Sequence, residues 1–197
     1  KKLDKDCFSF MLMNMKIIKE LEDLQSEMQE WRRDIHAHPE IAFEEHRTAQ
    51  IVADKLESFG IEVETGIAGT GVVGTLRKGM GNRSIGLRAD LDALLINETN
   101  DFEYKSKTPG QMHACGHDGH TTMLLGAAKY LSEHGNFDGT VNFIFQPAEE
   151  NEGGGRTMIE EGLFDKYPVE SIYGMHNIPG MPVGSFAIKP GPIMAAF

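Results

Sequence analysis

HACGHDGHTTMLLGAAKYLSEHGNFDGTVNFIF, residues 113–145, is the stretch whose reading decides the fold. Its first eight residues hold three histidines, an aspartate and a thiol. Cys115 and His117 are one residue apart, so in an extended segment both side chains project to the same side. A thiolate and an imidazole placed together suit a borderline or soft divalent cation. From 121 to 134 the apolar residues Met123, Leu124, Leu125, Ala127, Ala128 and Leu131 recur at helical spacing, and Gly135 ends the helix. Residues 141–145 (VNFIF) then form a near-continuous apolar strand of the kind buried on both faces. Ligand-type residues before a helix, followed by a buried strand, are the pattern of an α/β protein.

Upstream, Ile17, Leu21, Leu24, Met28, Trp31 and Ile35 predict an amphipathic helix over 16–36, stopped by Pro39. A second helix spans 44–59, with Gly60 as its C-terminal stop. Strands are expected at 61–64, 71–77 and 84–88, the last two joined as a hairpin through Lys78-Gly79-Met80-Gly81-Asn82. Residues 90–116 are polar and irregular, and so long a loop points to function. Downstream, Gly153–Gly155 leads into a short helix at 156–163, followed by strands at 171–174 and 184–189 around a Pro/Gly turn. The expected fold is α/β, a three-layer mixed sheet with helices on both faces.

A chain of 197 residues can bury a substantial core. Its formal net charge of −11, without a basic tract, argues against nucleic acid or an anionic membrane as partner. No run approaches the ~18 apolar residues of a membrane span. Cys7 and Cys115 cannot build a disulfide framework, and Cys115 among histidines suits a reducing, cytoplasmic setting. The opening KKLDKDCFSFMLMNM has acidic residues in its charged part and no small-residue cleavage site, so it is not read as a signal peptide. Residues 1–14 read as a tail or expression remnant, with Met15 the better start.

Two further features strengthen the Cys-x-His pair: Glu149-Glu150 in FQPAEENEGGG and His176 in IYGMHN, each after a strand. Sites in α/β sheets form at such strand ends. A hydrolytic centre needs ligands that leave a position open and a base that takes the proton of water. Cys115, His117, His176 and one glutamate can supply the ligands. If the backbone is extended, Glu149 and Glu150 point apart, one to the cation and the other to the attacking water as general base. Asp92, in RADLDAL, can hold a ligand imidazole by its second nitrogen, with Asp90 and Asp118 as rivals. His36, His38, His46 and His134 read as surface or satisfied structural residues. His113 and His120 flank the pair, either ligating or hydrogen-bonding around it. Gly153–Gly155 lacks the GxxxxGK[ST] pattern of a nucleotide loop. One cysteine is too few for a structural zinc site, and a thiolate committed to metal is a poor nucleophile.

WRRDIHAHPEIAFEE, RADLDAL, HACGHDGHT, FQPAEENEGGG and GMHN occur in this order over residues 28–197. Together they resemble the dinuclear-metal amidohydrolases that include hippurate hydrolase, N-acyl-amino-acid amidohydrolases, N-acetyldiaminopimelate deacetylase and auxin-conjugate hydrolases. These enzymes belong with the aminoacylases and carboxypeptidases of zinc-exopeptidase-like fold. The resemblance implies Cys115 as bridging ligand, His117, Glu150 and His176 as further ligands, Glu149 as catalytic base and Asp92 as its supporting aspartate. It implies one or two divalent ions (zinc, manganese, nickel or cobalt) and an N-acyl amino acid as substrate. Residues 15–197 correspond to the N-terminal part of the catalytic domain. The family's lid, which makes homodimers or homotetramers, and its last metal-binding histidine have no counterpart here. Leu95 stands where the family commonly has proline. The alternatives are a dipeptidase or carboxypeptidase of the same superfamily, or an inactive metal-binding fragment.

Overall fold

The computed structural model describes residues 17–188, 190 and 191, together with the backbone of 9–11. In chain order the elements are β1 (Ser9–Met11), α1 (Lys19–Asp23), α2 (Gln25–Ala37), α3 (His46–Ser58), β2 (Glu62–Ile67), β3 (Gly71–Lys78) and β4 (Ser84–Asp90). They continue with α4 (His117–His134), β5 (Gly139–Gln146), α5 (Gly154–Glu160), α6 (Leu163–Lys166), β6 (Ser171–Gly174) and β7 (Phe186–Ile188). The molecule divides into two compact units. In one, β1 and β7 pair antiparallel, with Phe10 opposite Ala187. The strand expected at 184–189 thus belongs to a separate two-stranded ribbon rather than the main sheet, and Lys189 lies outside the described residues. Of the expected tail, 1–8 and 12–14 lie outside them too, as does Met15.

The larger unit, Glu20–Asn177, is built on a five-stranded sheet of order β2-β3-β5-β4-β6. β2, β3 and β5 run antiparallel, whereas β4 lies parallel to β5 and to β6. The hairpin expected between β3 and β4 does not form. β5 inserts between them and pairs with both, because its apolar run is the segment able to be covered on both faces. The hairpin instead joins β2 to β3.

The alternation of side chains along β5 divides the core. Val141, Phe143 and Phe145 face one cluster with Trp31 of α2, Val52 and Leu56 of α3 and Leu125 of α4. Ile144 faces the other, with Val73, Met158 of α5 and Leu163 of α6. Phe143 and Phe145 are wholly buried, and truncating either to Ala would cost about 3–5 kcal/mol. Helices therefore cover both faces, heavily on the first and at one end on the second. The expected 16–36 helix is interrupted at Leu24, which keeps right-handed helical angles. The carboxylate of Glu40 accepts the backbone N–H groups of Arg47 and Thr48 at 2.9 and 2.8 Å, satisfying donors that the first turn of α3 leaves open. Residues 91–116 contain no helix or strand and are pinned by a bridge between Leu94 and Met112.

Candidate metal centre

Register places the candidate residues at one end of the sheet. Asp90 closes β4 opposite Gln146 of β5, and Arg88 pairs with Gly174 of β6. Asp92, Glu149-Glu150 and His176 leave these three strands at the same edge, where α4 also begins. β4 has its successor strand β5 on one side and β6 on the other, the arrangement that opens a crevice at strand carboxyl ends.

His117 is not in an extended segment, contrary to the sequence expectation. Gly116 is left-handed (φ 98°) and α4 starts at His117, four residues earlier than the apolar period suggests. A side chain at Gly116 would meet the Asn177 carboxamide at 2.5 Å, so glycine is required by both backbone and space. The Nδ1–H of His117 is donated to the backbone carbonyl of Asp92 at 2.9 Å, with Asp92 Oδ1 at 3.3 Å. This fixes the tautomer and leaves the Nε2 lone pair for a ligand. His176 repeats the device: its Nδ1–H meets the Asn177 carbonyl at 2.7 Å, and its Nε2 lies 3.3 Å from Cys115 Sγ.

The two glutamates do not diverge as an extended backbone would require. They lie in a turn entered through Ala148, whose φ is +50°. Both carboxylates reach His117 Nε2, Glu149 Oε2 at 3.8 Å and Glu150 Oε1 at 3.7 Å. Asp92 Oδ2 accepts the Glu150 N–H at 3.0 Å, so one aspartate braces both a histidine and the glutamate turn. Of its rivals, Asp90 accepts Nδ1–H from His120 at 2.7 Å and a hydrogen bond from Arg88 at 2.7 Å. Asp118 is held by His36 at 2.9 Å and Arg32 at 3.1 Å, which ties α4 to α2. His36 is thus a satisfied structural residue, and His46 and His134 are exposed. His120 lies behind the centre, with Nε2 2.6 Å from Asn177 Oδ1 and 3.2 Å from the Asn177 backbone nitrogen.

Among the described residues, three donor sets have all their ligand atoms within 4.8 Å of one another: Cys115–His117–His176, His117–Glu149–Glu150 and Asp90–His117–His120. His117 belongs to all three. Its Nε2 and Glu150 Oε1 are buried without any hydrogen-bond partner. An unpaired buried polar atom costs ~1–3 kcal/mol, and two facing each other across 3.7 Å mark a place that a cation would satisfy. The mixed sulfur, nitrogen and carboxylate set fits a borderline divalent ion.

The electrostatics agree. Burial first, then Glu150 and the other acids around it, push the Cys115 thiol up to about 12. Burial pulls His117 down, but hydrogen bonding to Asp92 and the charges of Asp90, Asp92 and Glu150 outweigh it and hold its proton more tightly than usual. Burial raises Asp90, and His120 and Arg88 overcome it, leaving the carboxyl well below its usual range. His113 is a buried ring without a partner on either nitrogen, and desolvation pushes it down to about 4. The sequence reading missed Glu45, which binds the Ala148 N–H at the entry to the glutamate turn, and Thr70, which binds Glu45. The only hint was the position of Glu45 inside the HPEIAFEE motif.

The profile of Peptidase family M20/M25/M40 matches residues 86–193, more than half of the chain. Hippurate hydrolase of Campylobacter jejuni is 51% identical over 182 residues, 92% of this chain and 47% of that enzyme. An N-acyl-L-amino acid amidohydrolase of Geobacillus stearothermophilus is 43% identical over 89% of this chain and 48% of its own length. A solved dinuclear metal binding peptidase of family M20 from Bacillus subtilis superposes with a TM-score of 0.78 at 40% identity, covering 82% of this chain and 46% of that one. The chain spans about half the length of the curated relatives it matches. With its sheet order, its cluster of thiol, imidazole and carboxylate donors and this profile match in agreement, the chain belongs to Peptidase family M20/M25/M40.

Proposed function

We propose that the protein hydrolyses the amide bond of N-acyl amino acids with one or two divalent ions, and that residues 15–197 are the N-terminal part of its catalytic domain. The observation that carries this is the unpaired, buried Nε2 of His117 facing the unpaired Oε1 of Glu150, with Cys115, His176 and Glu149 around them. Cys115, His117, Glu150 and His176 would hold the ions, with zinc, manganese, nickel or cobalt compatible with this donor set. A divalent ion in that place supplies a Lewis acid for the scissile carbonyl and lowers the pKa of water towards ~7.

Glu149 takes the proton of the attacking water and returns it to the leaving nitrogen, so amide and water become a carboxylic acid and an amine. Its side chain is 37% exposed, against 18% for Glu150, which suits a base that must reach substrate. Asp92 keeps His117 in the tautomer that offers Nε2 outward. No described helix is long and apolar enough to cross a membrane. We place the protein in the cytoplasm, where the Cys115 thiol stays reduced, and expect a homodimer or homotetramer acting on a small acyl amino acid without nucleic acid or membrane.

The test is metal analysis of the longest form the gene encodes, alongside hippurate, N-acetyl amino acids and dipeptides as substrates. Release of the acyl group with bound metal is expected. Cleavage of dipeptides alone would move the reading to a peptidase, which two Saccharolobus solfataricus relatives named thermostable carboxypeptidases, 43% and 42% identical, make the second choice.

A further inference from the structure

The carboxylate of Glu45 is completely buried, 103 residues from the turn it touches. One oxygen accepts the backbone N–H of Ala148 at 2.8 Å, and the other accepts the Thr70 hydroxyl at 2.5 Å. Ala148 is the residue with φ of +50°, a left-handed conformation costly for any residue with a Cβ. Its carbonyl accepts the Gly154 N–H at 2.9 Å. A side chain at Gly154 would collide with the Pro147 carbonyl at 1.9 Å, so the turn has no slack on that side. The next residues are Glu149 and Glu150. A buried carboxylate thus binds one strained amide immediately before the two acids of the centre.

We propose that Glu45 is a positioning residue whose hydrogen bond to the Ala148 N–H holds the left-handed turn that aims Glu149 and Glu150 at His117. The inference rests on the amidohydrolase reading for its consequence in catalysis, but not for the hold itself. Glu45→Gln keeps an oxygen for the Ala148 N–H, and its amide can donate to the Thr70 hydroxyl. Glu45→Ala removes the hold.

Two readouts on the longest form the gene encodes separate the claims. Amide hydrogen exchange needs no catalysis: Glu45→Ala should lose protection at Ala148 and Glu150 while β5 stays protected, and Glu45→Gln should match wild type. In turnover, Glu45→Ala should lower kcat by about ten- to a hundred-fold with KM little changed, the range seen for groups that orient ligands, and Glu45→Gln should recover it. Glycine accepts φ of +50° without strain, so Glu45→Ala should cost less in an Ala148→Gly background. Unchanged exchange at Ala148 in Glu45→Ala, or equal losses in Ala and Gln variants, would overturn the proposal. Should Glu45→Ala not fold, Glu45→Asp keeps the charge but is one methylene too short to reach both partners. The same pattern at smaller size is then expected, and wild-type exchange would overturn it. A wild-type protein that neither binds zinc nor cleaves amides would sink the functional reading instead, leaving the exchange experiment to decide on Glu45.

Discussion

Glu45, wholly buried, and Glu150, partly exposed but with one oxygen buried, stand at the same end of the sheet, yet their surroundings are opposite. Each oxygen of Glu45 has its own donor, one from backbone and one from a hydroxyl. Glu150 keeps an oxygen out of water with nothing bound to it, opposite a histidine nitrogen in the same state. The hydrogen bonds of Glu45 tie it to the scaffold, whereas Glu150 Oε1 and His117 Nε2, both unpaired, face each other at 3.7 Å, a separation that a cation would satisfy. Asp90 also has a donor on each oxygen, His120 on one and Arg88 on the other.

The most severe way to break this contrast is on the unsatisfied side. His117 joins every donor set found among the described residues, so His117→Ala should abolish tight zinc or cobalt binding, and Cys115→Ala should remove at least one equivalent. Metal-to-protein ratios after dialysis check both, and an unchanged ratio for either would refute its ligand role. Glu149→Gln should lower kcat by ~10²–10⁴ while the metal content stays near wild type. Full turnover in that variant would transfer the base role elsewhere.

On the satisfied side, Asp90→Asn should cost folding rather than chemistry. Removing one member of a buried ion pair costs ~3–5 kcal/mol, to be read from denaturant midpoints. Because the folded carboxyl of Asp90 is depressed, its stabilisation is present above the unfolded pKa of about 3.9. It is lost as pH falls below that value, so the wild type should lose stability in acid more steeply than the Asn variant. Metal affinity should run with pH for a different reason. The Cys115 thiol, near 12, and the His117 imidazole, raised, must both give up protons to bind. Calorimetry in buffers of different ionisation enthalpy should show protons released and affinity rising with pH. The smallest effect is expected at the solvent-exposed Arg83–Glu170 pair, where Arg83→Ala should leave the midpoint unmoved.

What the sequence disclosed follows from how local each signal is. α3, α4 and the doubly buried β5 carry their own periodicity, and their cores are where it put them. Cys115, His117, Glu149, Glu150 and His176 were visible as motifs, and the structure brings them to one place. Pairing was not legible, since neighbours in the chain suggested a β3–β4 hairpin that the apolar demand of β5 overrides. Nor were local backbone reversals. Gly116 and Ala148 both adopt positive φ, and each turned an assumed extended segment into a tight turn that draws side chains together. The Glu45–Ala148 contact spans 103 residues, beyond any window of periodicity.

One consequence follows from the order in which the centre's parts occur. Asp92 and His117 flank the first crossover, the glutamates follow β5, and His176 comes only after β6 has paired with β4. A nascent chain leaving the ribosome cannot complete this donor set until all three parallel strands have docked. An ion held as proposed would therefore be captured only after β6 has paired with β4.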